Sequence, residues 1–157
     1  MNTTEFLQPQ AVLPQLRAAT KKQLLTELGA AAAEQLELDP RRVYETLHQR
    51  EMLGSTGLGQ AIAIPHGKMP GLTRVHGLFA RLVTPVDFDA VDDQPVDLVF
   101  MLLAPEKAGA DHLKALACIS RLMRDVELVQ KLRGTNNAAG LYSLLTEPAL
   151  SESPHAA

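Results

Sequence analysis

A single cysteine, Cys118, rules out a disulfide framework and any cysteine-based metal site. It sits inside an apolar helical run, where the expected role is a small buried hydrophobe rather than a reactive thiol. The longest unbroken apolar stretch, Leu98 to Pro105, is far too short to cross a membrane. The N-terminus carries no basic segment followed by a long apolar run, so no signal peptide is expected. These absences predict a soluble, cytoplasmic protein with no membrane insertion. Basic excess is missing too. A net charge of −3 argues against a nucleic-acid partner. The basic pairs Lys21-Lys22 and Arg41-Arg42 lie on predicted helices beside acidic residues and read as solvated helix faces.

What is present is the balance of an ordinary single domain. The chain has 157 residues, 46% apolar and 21% charged, enough to bury a real core. Phe6, Leu7, Val12, Leu13 and Leu16 could cover one edge as an extended arm or short turn. Thr20, with Gln23 three residues on, reads as a helix cap. Leu24, Leu25, Leu28, Ala31, Ala32 and Leu36 follow at helical spacing, and Gly29 interrupts that helix without ending it. Asp39-Pro40 starts a second helix whose buried stripe is Val43, Tyr44 and Leu47. Gly54 is its stop, which places His48, Arg50 and Glu51 in the last turns.

Gly57 and Gly59 turn the chain into a short strand, Ala61 to Ile64, and Pro65-His66 follow at once. From Gly67 to Gly71 a loop is expected. Val75 to Val83 reads as a strand, and the acidic segment from Thr84 to Gln94 as a connection or small hairpin. Val96 to Leu103, apolar on both faces, reads as the central strand. Gly109 to Asp111 open a third helix with Leu113, Leu116, Ala117, Ser120 and Met123 on its stripe, widened by Ile119 and Leu122. Asp125 caps a short helix that ends at Gly134, and Asn136 or Asn137 caps a last helix through Leu141, Leu144 and Leu145. The small, polar stretch 148–157 is expected to be a disordered tail. The predicted fold class is α/β: one domain with a mixed β-sheet sandwiched between helices.

Several chemistries fail their templates. A Walker A loop would need glycine where Ile62 stands and Ser or Thr where Met69 stands. Gly54, Gly57 and Gly59 do not have dinucleotide spacing. There is no Gly-x-Ser-x-Gly elbow, and the aspartates at 87, 89, 92, 93 and 97 fit no calcium loop. Histidine chemistry remains. A neutral imidazole is a nucleophile that can accept a phosphoryl group and pass it on. His66 lies at a strand end, and Gly67 beside it would leave room for an incoming donor. His112 sits beside Asp111 at a helix start, where backbone N–H groups favour an anion and disfavour an imidazolium. Arg50 could supply a fixed positive charge. Each also has a plainer reading: His66 as a turn residue, His112 as a helix-start residue, Arg50 as a surface charge. His48 and His76 read as structural or surface residues, and His155 in the tail has no assigned role.

At these residues the sequence resembles a known family. AIAIPHGK at 61–68 resembles the phosphorylation-site signature of the IIA proteins of the bacterial phosphotransferase system, fructose/mannitol class. QREMLGSTGLG at 49–59, TPVDFDAVDDQPVDLVFMLLAP at 84–105 and DHLKALACISRLMRD at 111–125 match in the same order. AATKKQLLTELG at 18–29 looks most like the nitrogen-regulatory branch, IIA-Ntr. The likeness spans residues 5–147 and implies a type-2 IIA domain over 1–147.

The resemblance implies that His66 becomes phosphorylated on the ring nitrogen remote from the backbone. The donor would be the phosphohistidine of an HPr-like carrier, NPr. His112 and Arg50 would help hold the phosphate. The carrier would dock on an apolar patch around the His66 opening, with Lys68 and Met69 on its rim. No cofactor, metal or nucleotide is implied. Downstream, the likeness points to regulated protein targets, such as potassium-transport or sensor-kinase proteins. The alternatives are a sugar-transport IIA that passes phosphate to a IIB domain, and a binding module without transfer chemistry.

Overall fold

The computed structural model describes the backbone of residues 1–152 and the side chains of residues 1–147. The predicted tail at 148–157 therefore falls largely outside the described residues. The last helix does run on to Glu152, into that stretch.

Among the described residues six strands form one mixed sheet in the order β1-β5-β6-β3-β2, with β4 also paired to β6. They are β1 (Val12–Leu16), β2 (Gly57–Gly59), β3 (Ile62–Ala63), β4 (His66–Met69), β5 (His76–Val86) and β6 (Val96–Pro105). The central position of β6 follows from its composition. All its residues from Leu98 to Ala104 are buried, so both faces must be covered. Burial of each large side chain there contributes about 1.5–3 kcal/mol. Phe100 meets Phe79 edge-on at 5.8 Å and Phe6 at 6.1 Å between ring centroids. The N-terminal arm is a true edge strand: β1 pairs parallel with β5, and Pro14 is tolerated because β1 has a free side. β5 runs three residues further than its apolar run, through Pro85 to Val86, with an irregularity in register after Arg81.

Among the described residues five α-helices cover the sheet: α1 (Lys21–Leu36), α2 (Pro40–Met52), α3 (Ala110–Arg124), α4 (Val126–Arg133) and α5 (Ala138–Glu152). The starts of α1, α2, α4 and α5 are set by single side chains. Thr20 Oγ1 accepts from Gln23 N at 3.1 Å, Asp39 Oδ1 from Arg41 N at 3.0 Å, and Asp125 Oδ1 from Leu128 N at 3.2 Å. Asn137, not Asn136, accepts from the first turn of α5. Gly29 lies where α1 crosses α2: a Cβ there would stand 3.2 Å from Tyr44 N.

Two expectations shift. The segment after His66 is a strand rather than a loop, because β4 resumes the parallel pairing with β6 that β3 began. The two are halves of one line of chain, broken at Ile64-Pro65. The buried stripe of α3 is also one residue out of phase with the prediction. It comprises His112, Ala115, Cys118, Ile119 and Met123, while Leu113 and Ala117 face solvent. A polar residue opens this stripe, so a pattern read from apolar residues alone settles on Leu113.

Candidate active site

The β2–β3 hairpin, the β3–β4 break, the end of α2 and the start of α3 build the site. The hairpin loop, Gln60-Ala61, has both residues at positive φ, 57° and 67°. For side chains with a Cβ this conformation is unfavourable, so it must be held from outside. Asp92 Oδ2 accepts from Gln60 N at 2.9 Å, and Arg133 Nη2 donates to Gln60 O at 2.9 Å. Arg133 is itself paired with Asp97 at 2.9 Å. The hairpin is thus tied to both its neighbours before the chain reaches Pro65.

His66 opens β4 and is half-buried. Alternation along the strand sends His66 and Gly67 to opposite faces. Gly67 faces α2, where an added Cβ would stand 2.5 Å from Thr46 Cγ2. Its lack of a side chain therefore serves close packing of β4 on α2, and the expected role of clearing space for a donor is corrected. His66 faces the other way, towards α3. Its ring centroid lies 5.7 Å from that of His112, with the rings tilted by 51°.

Nδ1 of His66 is 2.9 Å from the carbonyl oxygen of Ile64. A carbonyl can only accept, so Nδ1 carries the proton and Nε2 of the neutral ring keeps the lone pair. Burial is the main cause that lowers the His66 pKa below its ordinary 6.5. Arg50 lowers it further, while the Ile64 hydrogen bond and Glu51 work against this.

His112 is buried, 8% exposed, and its Nδ1 has no hydrogen-bond partner within the described residues. Burial lowers its pKa first, then the charges of His66 and Lys68. Lys68 is two residues along β4 from His66 and so shares its face. Arg50 is pinned at the end of α2, where Nη1 donates to Gly54 O at 2.9 Å. The structure thus gathers His66, His112 and Arg50, the three residues singled out in the sequence. Met69, expected on the rim, is 3% exposed and belongs to the core. Exposed apolar side chains lie close to the site residues in sequence: Leu53, three residues after Arg50, is 85% exposed, and Leu113, next to His112, is 68% exposed.

Sequence reasoning missed a buried polar cluster behind the site. Lys21 Nζ pairs with Glu51 Oε1 at 2.9 Å and lies 4.4 Å from the centroid of the Phe88 ring. The reading of Lys21 as part of a solvated face is therefore corrected, while Arg41 and Arg42 are exposed as expected. The pair joins residues thirty positions apart, and no local spacing could reveal it. His48 is exposed and stacks on Tyr44 at 5.6 Å, and half-buried His76 lies apart from the site beside Arg74. Among the described residues no group of three or more His, Cys, Asp or Glu converges as metal ligands. No helix among them is long and apolar enough to cross a membrane.

Residues 5–147 match the family model described as phosphoenolpyruvate-dependent sugar phosphotransferase system, EIIA 2. The chain belongs to this IIA family. It is 55% identical over 148 residues to a nitrogen regulatory protein of Bradyrhizobium diazoefficiens, covering 94% of this chain and 97% of that one. A crystal structure of nitrogen regulatory protein IIA-Ntr from Neisseria meningitidis superposes with a TM-score of 0.85 at 37% identity, covering 90% of this chain and 97% of that chain. A fructose-specific EIIA component of Haloferax volcanii is 34% identical over 130 residues, covering 82% and 84%. The sequence-based assignment to the nitrogen-regulatory IIA branch and its mixed-sheet fold therefore holds. The chain is a phosphotransferase-system component.

Proposed function

We propose that this IIA protein is a histidine phosphocarrier. It accepts a phosphoryl group on Nε2 of His66 from the phosphohistidine of an HPr-like carrier, NPr, and regulates partner proteins according to its phosphorylation state. One observation carries this reading: the Ile64 carbonyl holds the proton on Nδ1, which leaves the Nε2 lone pair on a ring that burial favours as neutral, beside a second histidine and within the field of Arg50.

The step balances simply. The Nε2 lone pair attacks phosphorus, the donor's N–P bond breaks, and its electron pair returns to the donor ring. The His66 ring gains positive character, which the Ile64 carbonyl on Nδ1–H stabilises. The Arg50 guanidinium and the Lys68 ammonium balance the phosphoryl charge, and His112 donates to a phosphoryl oxygen or balances its charge. No metal is required, and the rate comes from alignment and charge stabilisation between two docked proteins. Leu53 and Leu113 frame the opening as an apolar docking rim, with Lys68 at its edge. The protein would act in the cytoplasm, and its regulated targets would include potassium-transport or sensor-kinase proteins.

The test is intact-mass analysis after incubation with a phosphorylated HPr-like carrier. A single acid-labile phosphoryl increment is expected, absent in His66→Ala. A wild-type protein that takes up no phosphate would overturn the proposal in favour of a binding module. The likeness to a fructose-specific EIIA component supports a second reading, a sugar-transport IIA that feeds a IIB domain. Pull-downs with phosphorylated and unphosphorylated protein separate the two. Recovery of only a IIB partner would favour sugar transport.

A further inference from the structure

A run of hydrogen bonds links the His66 ring to Lys21 at the start of α1. His66 Nδ1 donates to Ile64 O at 2.9 Å, and Ile64 N donates to Thr56 O at 3.0 Å. Thr56 N donates to Glu51 Oε1 at 3.1 Å, and Thr56 Oγ1 donates to Glu51 Oε2. Lys21 Nζ closes the run on Glu51 Oε1 at 2.9 Å. Glu51 and Thr56 are buried, 8% and 6% exposed. A carboxylate only accepts, so Thr56 must donate with both its N–H and its hydroxyl, which leaves no choice about how the 54–57 turn sits. That turn anchors the N–H of Ile64, the residue whose carbonyl, in the next peptide, selects the His66 tautomer. Ser55 adds a second tie, donating to Phe88 O at 3.1 Å, next to the ring that carries Lys21.

Stability alone is a weak reason to bury such a pair, because apolar residues of similar size often serve a fold equally well. Its position suggests another use. Glu51 directly follows Arg50 in α2, so one helix end sets both the cation at the site and the turn behind the acceptor. We infer that Glu51, held by Lys21 and acting through Thr56 and Ile64, is a positioning residue that keeps His66 in its Nδ1–H tautomer with Nε2 aimed out of the protein. This inference rests on His66 being the phosphoryl acceptor, but its first readout does not.

The test uses the full chain and three variants: Thr56→Val, Thr56→Ser and Glu51→Gln. Nitrogen-15 correlation spectra of the unphosphorylated protein report which ring nitrogen of His66 bears the proton. Wild type and Thr56→Ser are expected to show Nδ1–H alone. Thr56→Val and Glu51→Gln are expected to admit the Nε2–H form, the one that free histidine prefers. Phosphoryl transfer from the carrier should slow by about tenfold in both, restored by Thr56→Ser, with the loss in kcat rather than KM.

A pure Nδ1–H tautomer in Thr56→Val overturns the inference, even if the variant melts at lower temperature, because the pair would then be structural only. If Glu51→Gln does not fold, Thr56→Val and its serine counterpart decide the matter. If wild type accepts no phosphate, the phosphocarrier reading fails while the tautomer measurement still decides this one.

Discussion

His66 and His112 meet at the site from two differently built regions. The corner around His66 is tied down on every side. Its hairpin is clamped by Asp92 and Arg133, its two half-strands are paired with β6, and its ring is bonded to Ile64. The start of α3 has no such ties. Gly109 offers α3 no capping side chain, and the buried Nδ1 of His112 finds no partner within the described residues. A nucleophile must present one nitrogen in one direction, which rigid bonding achieves. A group that binds a phosphate only after transfer must keep its hydrogen-bonding capacity for that moment. On the proposed reading, the difference between the two regions matches the difference between attacking and receiving.

The largest test of this contrast, short of removing His66 itself, is His112→Ala. Loss of one group that stabilises transferred charge costs a factor of about 10² in rate. Since the Nδ1 of His112 satisfies no other group, the fold should lose little, about 1 kcal/mol or less. Stopped-flow transfer from the phosphorylated carrier and thermal melting give the two numbers. A loss of stability as large as the loss of transfer would make His112 a core residue like its neighbours Ala115 and Ile119. The contrast would then collapse.

A smaller effect probes the rigid corner. Gly67→Ala places a methyl 2.5 Å from Thr46 Cγ2, and a β-branched side chain in a helix cannot rotate away freely. The expected destabilisation is about 1–3 kcal/mol, measured by urea unfolding. Most of it should be recovered when Thr46→Ser is added, which removes the methyl. If the variant instead keeps its stability and only transfer falls, Gly67 serves the donor after all, as its place beside His66 in the sequence first suggested.

That case marks the boundary of what the sequence could show. The caps at Thr20, Asp39 and Asp125 were legible because each needs only one side chain and the next turn of helix. β6 was legible because nothing but a central strand tolerates so long an apolar run. His66 stood out by its place after a short strand, though only the resemblance singled it out from a turn residue. The direction in which Gly67 faces was not legible, since it depends on β4 being a strand, and β4 exists only because β6 pairs with it. His112 showed as a helix-start residue, but its membership of the buried stripe did not, because polarity argued against it. The Lys21–Glu51 pair depends on how α1 and α2 pack together, and local patterns carry no trace of that.

The smallest effect concerns protons. Burial lowers the pKa of both His66 and His112 from 6.5, the value expected in the unfolded chain. Between the lowered folded values and 6.5 the unfolded chain therefore binds more protons than the folded one. Stability must rise with pH across that window and fall on acidification through it. Burial also lowers His76, outside the site and beside Arg74, so it contributes with the same sign. Melting temperature should drop by a few degrees as pH falls from 7 to about 5.5. His66→Gln and His112→Gln should each flatten the slope, and His76→Gln provides the control from outside the site. The His66 variant sharpens the contrast further. The charge of a protonated His66 opposes protonation of His112, so removing His66 should also ease the titration of His112. Transfer should follow the same logic, holding steady down to 6.5 and failing only below it, because Nε2 of His66 keeps its lone pair until its lowered pKa is reached. A wild-type melting temperature that is flat across this range, or a transfer rate that already falls above pH 6.5, would mean that neither ring is held neutral by burial. The tied corner would then present an imidazole with its ordinary pKa, part of it protonated near neutral pH and unable to attack.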